Sequence, residues 1–124
     1  MKKELITKKA PGAIGPYSQG VMAGNLIFVS GQLPINAETG EMPSDIKEQT
    51  HQSIENIKHI LAEAGATLDN VVKTTVYLAD MSLFAPMNEI YAEHFHKVYP
   101  ARAAFAVKEL PKQALVEIEV IASI

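Results

Sequence analysis

The spacing of apolar and polar residues predicts a hairpin followed by a helix in the first half of the chain. Two apolar runs, YSQGVMA (residues 17–23) and LIFVSG (residues 26–31), flank the turn pair Gly24-Asn25, which is typical of a β-hairpin. From Ser44 to Ala64 the apolar positions change to helical spacing. Ser44 is the candidate cap at the start of this helix, and Gly65 suits its end.

The second half of the chain is predicted to contain a strand, a helix and two further strands. The β-branched stretch NVVKTTVYLAD (residues 70–80) indicates a strand, and residues 82–99 have the spacing of a helix with Ser82 as its candidate cap. The predicted buried stripe of this helix is Phe84, Met87, Ile90, Tyr91 and Phe95. RAAFAV (residues 102–107) and ALVEIEVIAS (residues 114–123) indicate the last two strands. The order β-β-β-α-β-α-β-β predicts an α+β fold.

Alternation within the strands predicts one apolar and one mixed face of the sheet. The positions expected on the apolar face are Val72, Thr74, Val76 and Leu78 in one strand and Val116, Ile118 and Val120 in the last strand. This face is apolar enough to carry both helices. The opposite face mixes tyrosine, threonine, leucine and isoleucine with charged residues, so we expect it to pack against another subunit.

The stretch YPARAAFAV (residues 99–107) holds one charged side chain, Arg102, within an apolar run. A guanidinium keeps its charge, and a buried one needs an anionic partner. Because no acidic residue lies within six positions of Arg102, that partner is distant in the chain, on another subunit, or a ligand. If this strand pairs antiparallel with the last strand, Glu117 comes near Arg102. Two interpretations remain open, an interface ion pair and a pocket in which Arg102 binds an anion while Glu117 does acid–base chemistry.

Composition limits the classes of function. The 124 residues predict a single domain over residues 1–124, and the net charge of −3 with scattered lysines argues against nucleic-acid binding. The chain has no cysteine, which excludes disulfides, thiolate catalysis and cysteine metal sites. His51 and His59 share a helix face but lie about 12 Å apart along the axis, too far for one ion, so we predict no metal site. No segment has the ~20 apolar residues of a membrane span, and we expect a cytoplasmic protein.

Six motifs, in this order and spacing, resemble the RidA (YjgF) family. They are APGAIGPYSQG, VSGQLP, VVKTTVYLADM, NEIY, PAR and LPKQALVEIEVIA, and the resemblance extends from about Thr7 to Ala122. Members are reactive intermediate deaminases, also called 2-iminobutanoate/2-iminopropanoate deaminases. The resemblance implies a chorismate-mutase-like fold, with a six-stranded sheet and two helices on one face, in a homotrimer with a central barrel and active sites between subunits. It also implies hydrolysis of small 2-imino acids to 2-oxo acids and ammonia, without a cofactor or metal.

The resemblance assigns roles to individual residues. Arg102 in PAR would bind the substrate carboxylate through its planar fork. Glu117 in EIE would polarise the attacking water, and a nearby Arg102 would keep it ionised. The remaining residues implied to bind substrate are Tyr17 (from an adjacent subunit), Ser30, Asn88, Ala103 and Ala104. Taken without the resemblance, Tyr17 is a loop anchor, Ser30 a turn residue and Asn88 a surface residue.

The residue at position 104 and two alternative functions bear on this assignment. Ala104 stands where many family members carry a cysteine, and we expect activity to survive because the position acts through backbone contacts. The same cleft would also suit a regulatory protein that senses small 2-oxo acids and signals to a partner. A translation inhibitor or endoribonuclease, an activity also attached to relatives, fits the acidic balance of the chain least.

Overall fold

Six strands form one mixed sheet, and two helices cover one of its faces. The computed structural model describes all residues from Met1 to Ile124. The strands are β1 (Lys2–Leu5), β2 (Gly20–Ala23), β3 (Leu26–Gln32), β4 (Val71–Leu78), β5 (Ala101–Ala106) and β6 (Val116–Ser123), and the helices are α1 (Ile46–Ala62) and α2 (Phe84–His94). The predicted α+β order is confirmed. Neither helix has the length and apolar character that crossing a membrane requires.

The strand order in the sheet is β1-β2-β3-β6-β4-β5, and only β4 and β5 run parallel to each other. The expectation that residues 102–107 pair antiparallel with the last strand is therefore wrong. α2 connects β4 to β5 as a crossover, and such a connection returns the chain parallel to the strand that it left. β4 thus lies between β5 and β6, and β5 forms an edge of the sheet.

The face of the sheet beneath the helices forms the core. Six of the predicted apolar-face positions are buried, namely Thr74, Val76, Leu78, Val116, Ile118 and Val120. The prediction for Val72 is wrong, because its side chain is 49% exposed while that of Val71 is 5% exposed. A β-bulge between Val71 and Lys73 shifts the register against β6, and the extra residue reverses the alternation at that point.

The cap of α1 differs from the prediction by one residue. Asp45, not Ser44, is the N-cap, and its carboxylate accepts a 2.9 Å hydrogen bond from the backbone N–H of Glu48. The predicted end at Gly65 is confirmed, since this glycine has a φ of 71°. A left-handed glycine of this kind ends a helix without the strain that a side chain would add.

α2 is shorter than predicted, and Ser82 does not cap it; the turn of residues 81–83 that leads into α2 is capped by Asp80. The carboxylate of Asp80 accepts a 2.8 Å hydrogen bond from the backbone N–H of Ser82, so Ser82 donates at this turn and does not cap it. The helix ends at His94 instead of Tyr99. The predicted stripe is confirmed for four buried residues, Met87, Ile90, Tyr91 and Phe95, while Phe84 is half-buried against the core.

The other face of the sheet has no helix over it. Phe28 and Phe105 on this face are 42% and 45% exposed. Tyr77 stands beside Phe105, and its hydroxyl donates a hydrogen bond to the carboxylate of Glu119. This uncovered face therefore combines aromatic with charged residues, as the alternation predicts.

Candidate active site

Arg102, the only arginine of the chain, lies on edge strand β5 and directs its side chain toward α2. Its register partner in β4 is the buried Thr74, so both side chains leave the sheet on the helix side. The Nη1 atom of Arg102 donates a 2.7 Å hydrogen bond to Oδ1 of Asn88. The guanidinium carbon lies 4.7 Å from the ring centroid of Tyr91 and 5.5 Å from that of Phe84. One amide and two aromatic rings of α2 therefore hold the cation.

No carboxylate of the chain pairs with Arg102. The ion pairs of the chain are Lys47–Glu89, His51–Glu93 and Lys58–Glu55. The side chain of Arg102 instead borders a cleft of about 430 Å³ that Tyr99 and Pro100 also line. An acidic partner elsewhere in the same chain is thus excluded. Arg102 is exposed and not buried as its apolar surroundings in the sequence suggest, so its charge is open to solvent, another subunit or a ligand.

Glu117 is the second residue of β6, and its carboxylate lies beside Gly31 of β3. A Cβ atom at position 31 would collide with that carboxylate, so the close approach depends on glycine. Burial raises the pKa of the Glu117 carboxyl, and the negative charge of Glu119 raises it further. A carboxyl with a raised pKa is better matched to proton transfer near neutral pH than an ordinary glutamate.

Tyr17 and Gly31 line a second cleft, which has a volume of about 540 Å³. The Tyr17 side chain is 54% exposed. Ser30 donates its hydroxyl hydrogen to the carbonyl oxygen of Ser18 at 2.5 Å, and its backbone N–H donates to the carbonyl of Gln19 at 2.9 Å. Ser30 thereby anchors the loop that presents Tyr17 to the cleft.

The predicted site residues fall into two groups on opposite sides of the sheet. We call Arg102, Asn88 and Tyr91 the arginine half-site, and Glu117, Gly31 and Tyr17 the glutamate half-site. Arg102 is in register with position 74 of β4 and Glu117 with position 77. Because these positions are an odd number of residues apart, the two side chains leave opposite faces, with β4 between them. The expectation that Arg102 lowers the pKa of Glu117 is therefore wrong within one chain.

Ala103 and Ala104 follow Arg102 on β5 and lie on different sides of the sheet. Ala104 is in register with the buried Val76 and packs against the core, whereas Ala103 is opposite Thr75 on the uncovered side. Since β5 is an edge strand, one row of its N–H and C=O groups has no strand to pair with. The backbone of this segment is consequently available to a ligand or a neighbouring chain.

Three residues beside Arg102 and Glu117 carry roles that the sequence analysis does not give them. Phe84 and Tyr91 are predicted only as buried residues, yet their rings contact the guanidinium. Phe84, Asn88 and Tyr91 are spaced i, i+4 and i+7 in the sequence, and this spacing is the signal that places all three on one helix face. Gly31 follows Ser30 directly, but only its contact with Glu117 reveals its part in the site.

Comparisons of sequence connect this chain with named proteins over nearly its whole length. The profile of the family described as Endoribonuclease L-PSP matches residues 7–124. A RutC family protein of Pyrococcus abyssi is 60% identical, with 98% of each chain covered. The 2-iminobutanoate/2-iminopropanoate deaminase of Escherichia coli is 46% identical, again with 98% of each chain covered.

Solved structures share the same fold. RidA from the Antarctic bacterium Psychrobacter superposes with a TM-score of 0.95 at 47% identity and covers 98% of this chain and 99% of its own. Escherichia coli TdcF with bound serine gives a TM-score of 0.93 at 44% identity and covers 98% of each chain. Both similarities span the strands and helices that carry the two half-sites.

Proposed function

The chain belongs to the RidA (YjgF) family, and on that premise we propose that it is a deaminase that hydrolyses small 2-imino acids to 2-oxo acids and ammonia. Its substrates would be imines and their enamine tautomers such as 2-iminobutanoate and 2-iminopropanoate. Water is the second reactant, so the reaction requires no cofactor or metal. The proposal includes a cytoplasmic location, where pyridoxal-phosphate enzymes release such intermediates.

The single observation that carries the proposal is the unpaired Arg102 beside a cleft. A planar guanidinium binds a carboxylate through two parallel hydrogen bonds, which fixes the orientation of a small acid as well as its charge. Asn88 uses one of the five N–H donors and contributes no charge. The positive charge of Arg102 is therefore left for an anionic ligand.

A complete site requires two copies of the chain in this proposal. Arg102 and Glu117 leave opposite faces of one sheet, so a neighbouring copy would supply the glutamate half-site next to the arginine half-site. The uncovered face, with exposed Phe28 and Phe105 among charged residues, has the mixed character of a subunit interface. We propose that this face lines the central barrel of a homotrimer, with active sites in the clefts between subunits.

The chemistry follows from the two half-sites. Arg102 binds the substrate carboxylate, and Glu117 of the neighbouring copy accepts a proton from water. The water oxygen forms a bond to the C=N carbon while the imine nitrogen takes up a proton, which gives a tetrahedral carbinolamine. Its collapse releases ammonia and leaves the 2-oxo acid, so the atoms balance with water as the only co-reactant.

Imine-decay assays on wild-type protein, Arg102→Lys and Glu117→Gln test the proposal, with the imine generated in the cuvette by a dehydratase. Arg102→Lys should lose roughly 10- to 100-fold in kcat/KM, because a point charge cannot reproduce two parallel hydrogen bonds. Glu117→Gln should lose roughly 100-fold or more in kcat through loss of the base. Glu63→Gln, at the end of α1, serves as the control for removal of a surface carboxylate.

The single arginine allows a second, independent measurement. An arginine-specific dicarbonyl reagent can modify only Arg102, so inactivation should follow the incorporation of one label per chain. A 2-oxo acid should protect Arg102 if its carboxylate occupies the guanidinium. Unchanged imine decay in the Lys and Gln variants, or no protection by the acid, would contradict the site.

A metabolite-binding regulator is the second candidate function, and it is favoured by the serine bound to the related TdcF structure. Tight binding of 2-oxobutanoate without any acceleration of imine decay would support this role. The family description also raises an endoribonuclease. The chain has a net charge of −3, and the uncovered face carries two carboxylates, Glu117 and Glu119. Both features oppose binding of an RNA backbone. RNA cleavage that survives Arg102→Ala in highly purified protein would revive this alternative.

A further inference from the structure

One face of α2 surrounds the guanidinium of Arg102. Phe84, Asn88 and Tyr91 are spaced i, i+4 and i+7 and project from the same side of the helix. Asn88 accepts the 2.7 Å hydrogen bond, and the rings of Tyr91 and Phe84 lie within 4.7 and 5.5 Å of the guanidinium carbon. An arginine that is ordered before its ligand arrives loses less conformational freedom on binding.

Tyr91 is itself fixed to the sheet at the level of Arg102. Its hydroxyl and that of Thr74 form a 2.8 Å hydrogen bond in the core, and its ring stacks on Phe95 with centroids 4.4 Å apart. Thr74 is also the register partner of Arg102 in β4. The strand position that carries Arg102 therefore fixes the aromatic ring against which the guanidinium lies.

We propose that Tyr91 is a positioning residue for carboxylate recognition, holding the guanidinium of Arg102 so that its free N–H edge faces the cleft. This inference rests on the proposed function, because it assumes that Arg102 binds the substrate carboxylate. Bidentate binding needs two N–H donors on one edge in a fixed direction. Tyr91 fixes that direction without using a donor, since it attracts the cation through the face of its ring.

The groups that hold Arg102 in place, the Asn88 amide and the Tyr91 ring, carry no charge. Burial raises the pKa of the Tyr91 phenol, so the side chain carries no charge at neutral pH. An acidic residue in the same place would fix Arg102 equally well but would compete with the substrate carboxylate. A neutral ring and a neutral amide order the cation and leave its charge uncompensated.

A double-mutant cycle between Tyr91 and Arg102 tests the inference. Tyr91→Leu should raise the KM for the imine and the Kd for 2-oxobutanoate about fivefold, with kcat changed by less than about twofold. Tyr91→Phe keeps the ring that faces the cation but loses the hydrogen bond to Thr74, so it should raise both values by less than Tyr91→Leu does. In the Arg102→Ala background, Tyr91→Leu should have no further effect on binding, because the group that it positions is absent.

Three outcomes would overturn the inference. They are equal effects of Tyr91→Leu in both backgrounds, a fall in kcat at unchanged KM, and wild-type binding by a folded Tyr91→Leu variant. If Tyr91→Leu does not fold, the half-buried Phe84 allows the same cycle, and Phe84→Leu should weaken binding about twofold only when Arg102 is present. Wild-type binding by Arg102→Ala would instead refute the proposed function, so the two failures are distinguishable.

Discussion

Two inactive variants of this chain should restore activity when they assemble together. Arg102→Ala removes the arginine half-site, and Glu117→Gln disables the glutamate half-site. Within one chain the two side chains leave opposite faces of the sheet with β4 between them. On the proposed function, a working site therefore combines the arginine half-site of one copy with the glutamate half-site of another.

The expected recovery of activity equals the fraction of sites in which both half-sites are intact. In an equal mixture of Arg102→Ala and Glu117→Gln chains, roughly half of the sites receive an intact arginine half-site. Roughly half of those meet an intact glutamate half-site, so about one quarter of all sites are wild type in a closed cyclic assembly. This fraction does not depend on the number of subunits in the ring. Imine decay should thus return to about a quarter of the wild-type rate.

The assay is imine decay per mole of chain after the two variants are unfolded together and refolded as a mixture. Mixing the folded variants without exchange of subunits is the first control and should give only the sum of their residual rates. The second control mixes wild type with the Arg102→Ala/Glu117→Gln double variant. Sites between subunits again predict about one quarter of the wild-type rate, whereas sites within one chain predict about one half. Absence of recovery in the first mixture would refute the shared site.

Two further predictions concern Glu117. The proposed reaction needs the ionised carboxylate of Glu117, and burial raises the pKa of this carboxyl above the usual 4.5. In a pH–rate profile, kcat should therefore fall on acidification, with a midpoint above pH 4.5. The raised pKa also means that the charged form destabilises the fold, so Glu117→Gln should raise Tm at pH 7, and this gain should disappear below the unfolded pKa. A Tm difference that grows on acidification would contradict this assignment. Gly31→Ala should displace the Glu117 carboxylate and lower kcat about tenfold. The free energy of unfolding should change by less than about 1 kcal/mol, because only a flexible side chain moves. Equal losses of activity and stability would contradict this role of Gly31.

Periodicity predicts burial correctly in the last strand, which keeps its alternation throughout. Val116, Ile118 and Val120 are all buried there, as the alternation requires. Val72 does not follow the rule, because the bulge between Val71 and Lys73 inserts a residue. A run of β-branched residues such as VVKTTV is compatible with either register, so the local sequence does not contain this information.

Strand neighbours depend on the connections between strands more than on the strands themselves. β5 and β6 follow each other in the chain, which suggested a direct antiparallel pair. The order strand–helix–strand over β4, α2 and β5 was the stronger signal, because such units place their strands parallel, with the helix crossing over one face. Chemistry alone marked Arg102 and Glu117 as candidates and left an ion pair and a binding pocket both open, and the resemblance supplied their roles. That the two side chains leave opposite faces of the sheet could be derived only from the topology.

The separation of the two charges has a physical advantage. In adjacent antiparallel strands, Arg102 and Glu117 would form an ion pair that lowers the pKa of the glutamate and occupies the guanidinium, so both groups would be lost to a substrate. In this chain Arg102 is held by neutral groups, and Glu117 is half-buried near another carboxylate that makes its charge less favourable. Each half-site therefore holds a charged group with no opposite charge paired to it within the chain. On the proposed function, an anionic substrate balances the charge of Arg102 and a water gives Glu117 a proton. Because the two side chains leave opposite faces of one sheet, that function needs two copies to bring both groups into one cleft.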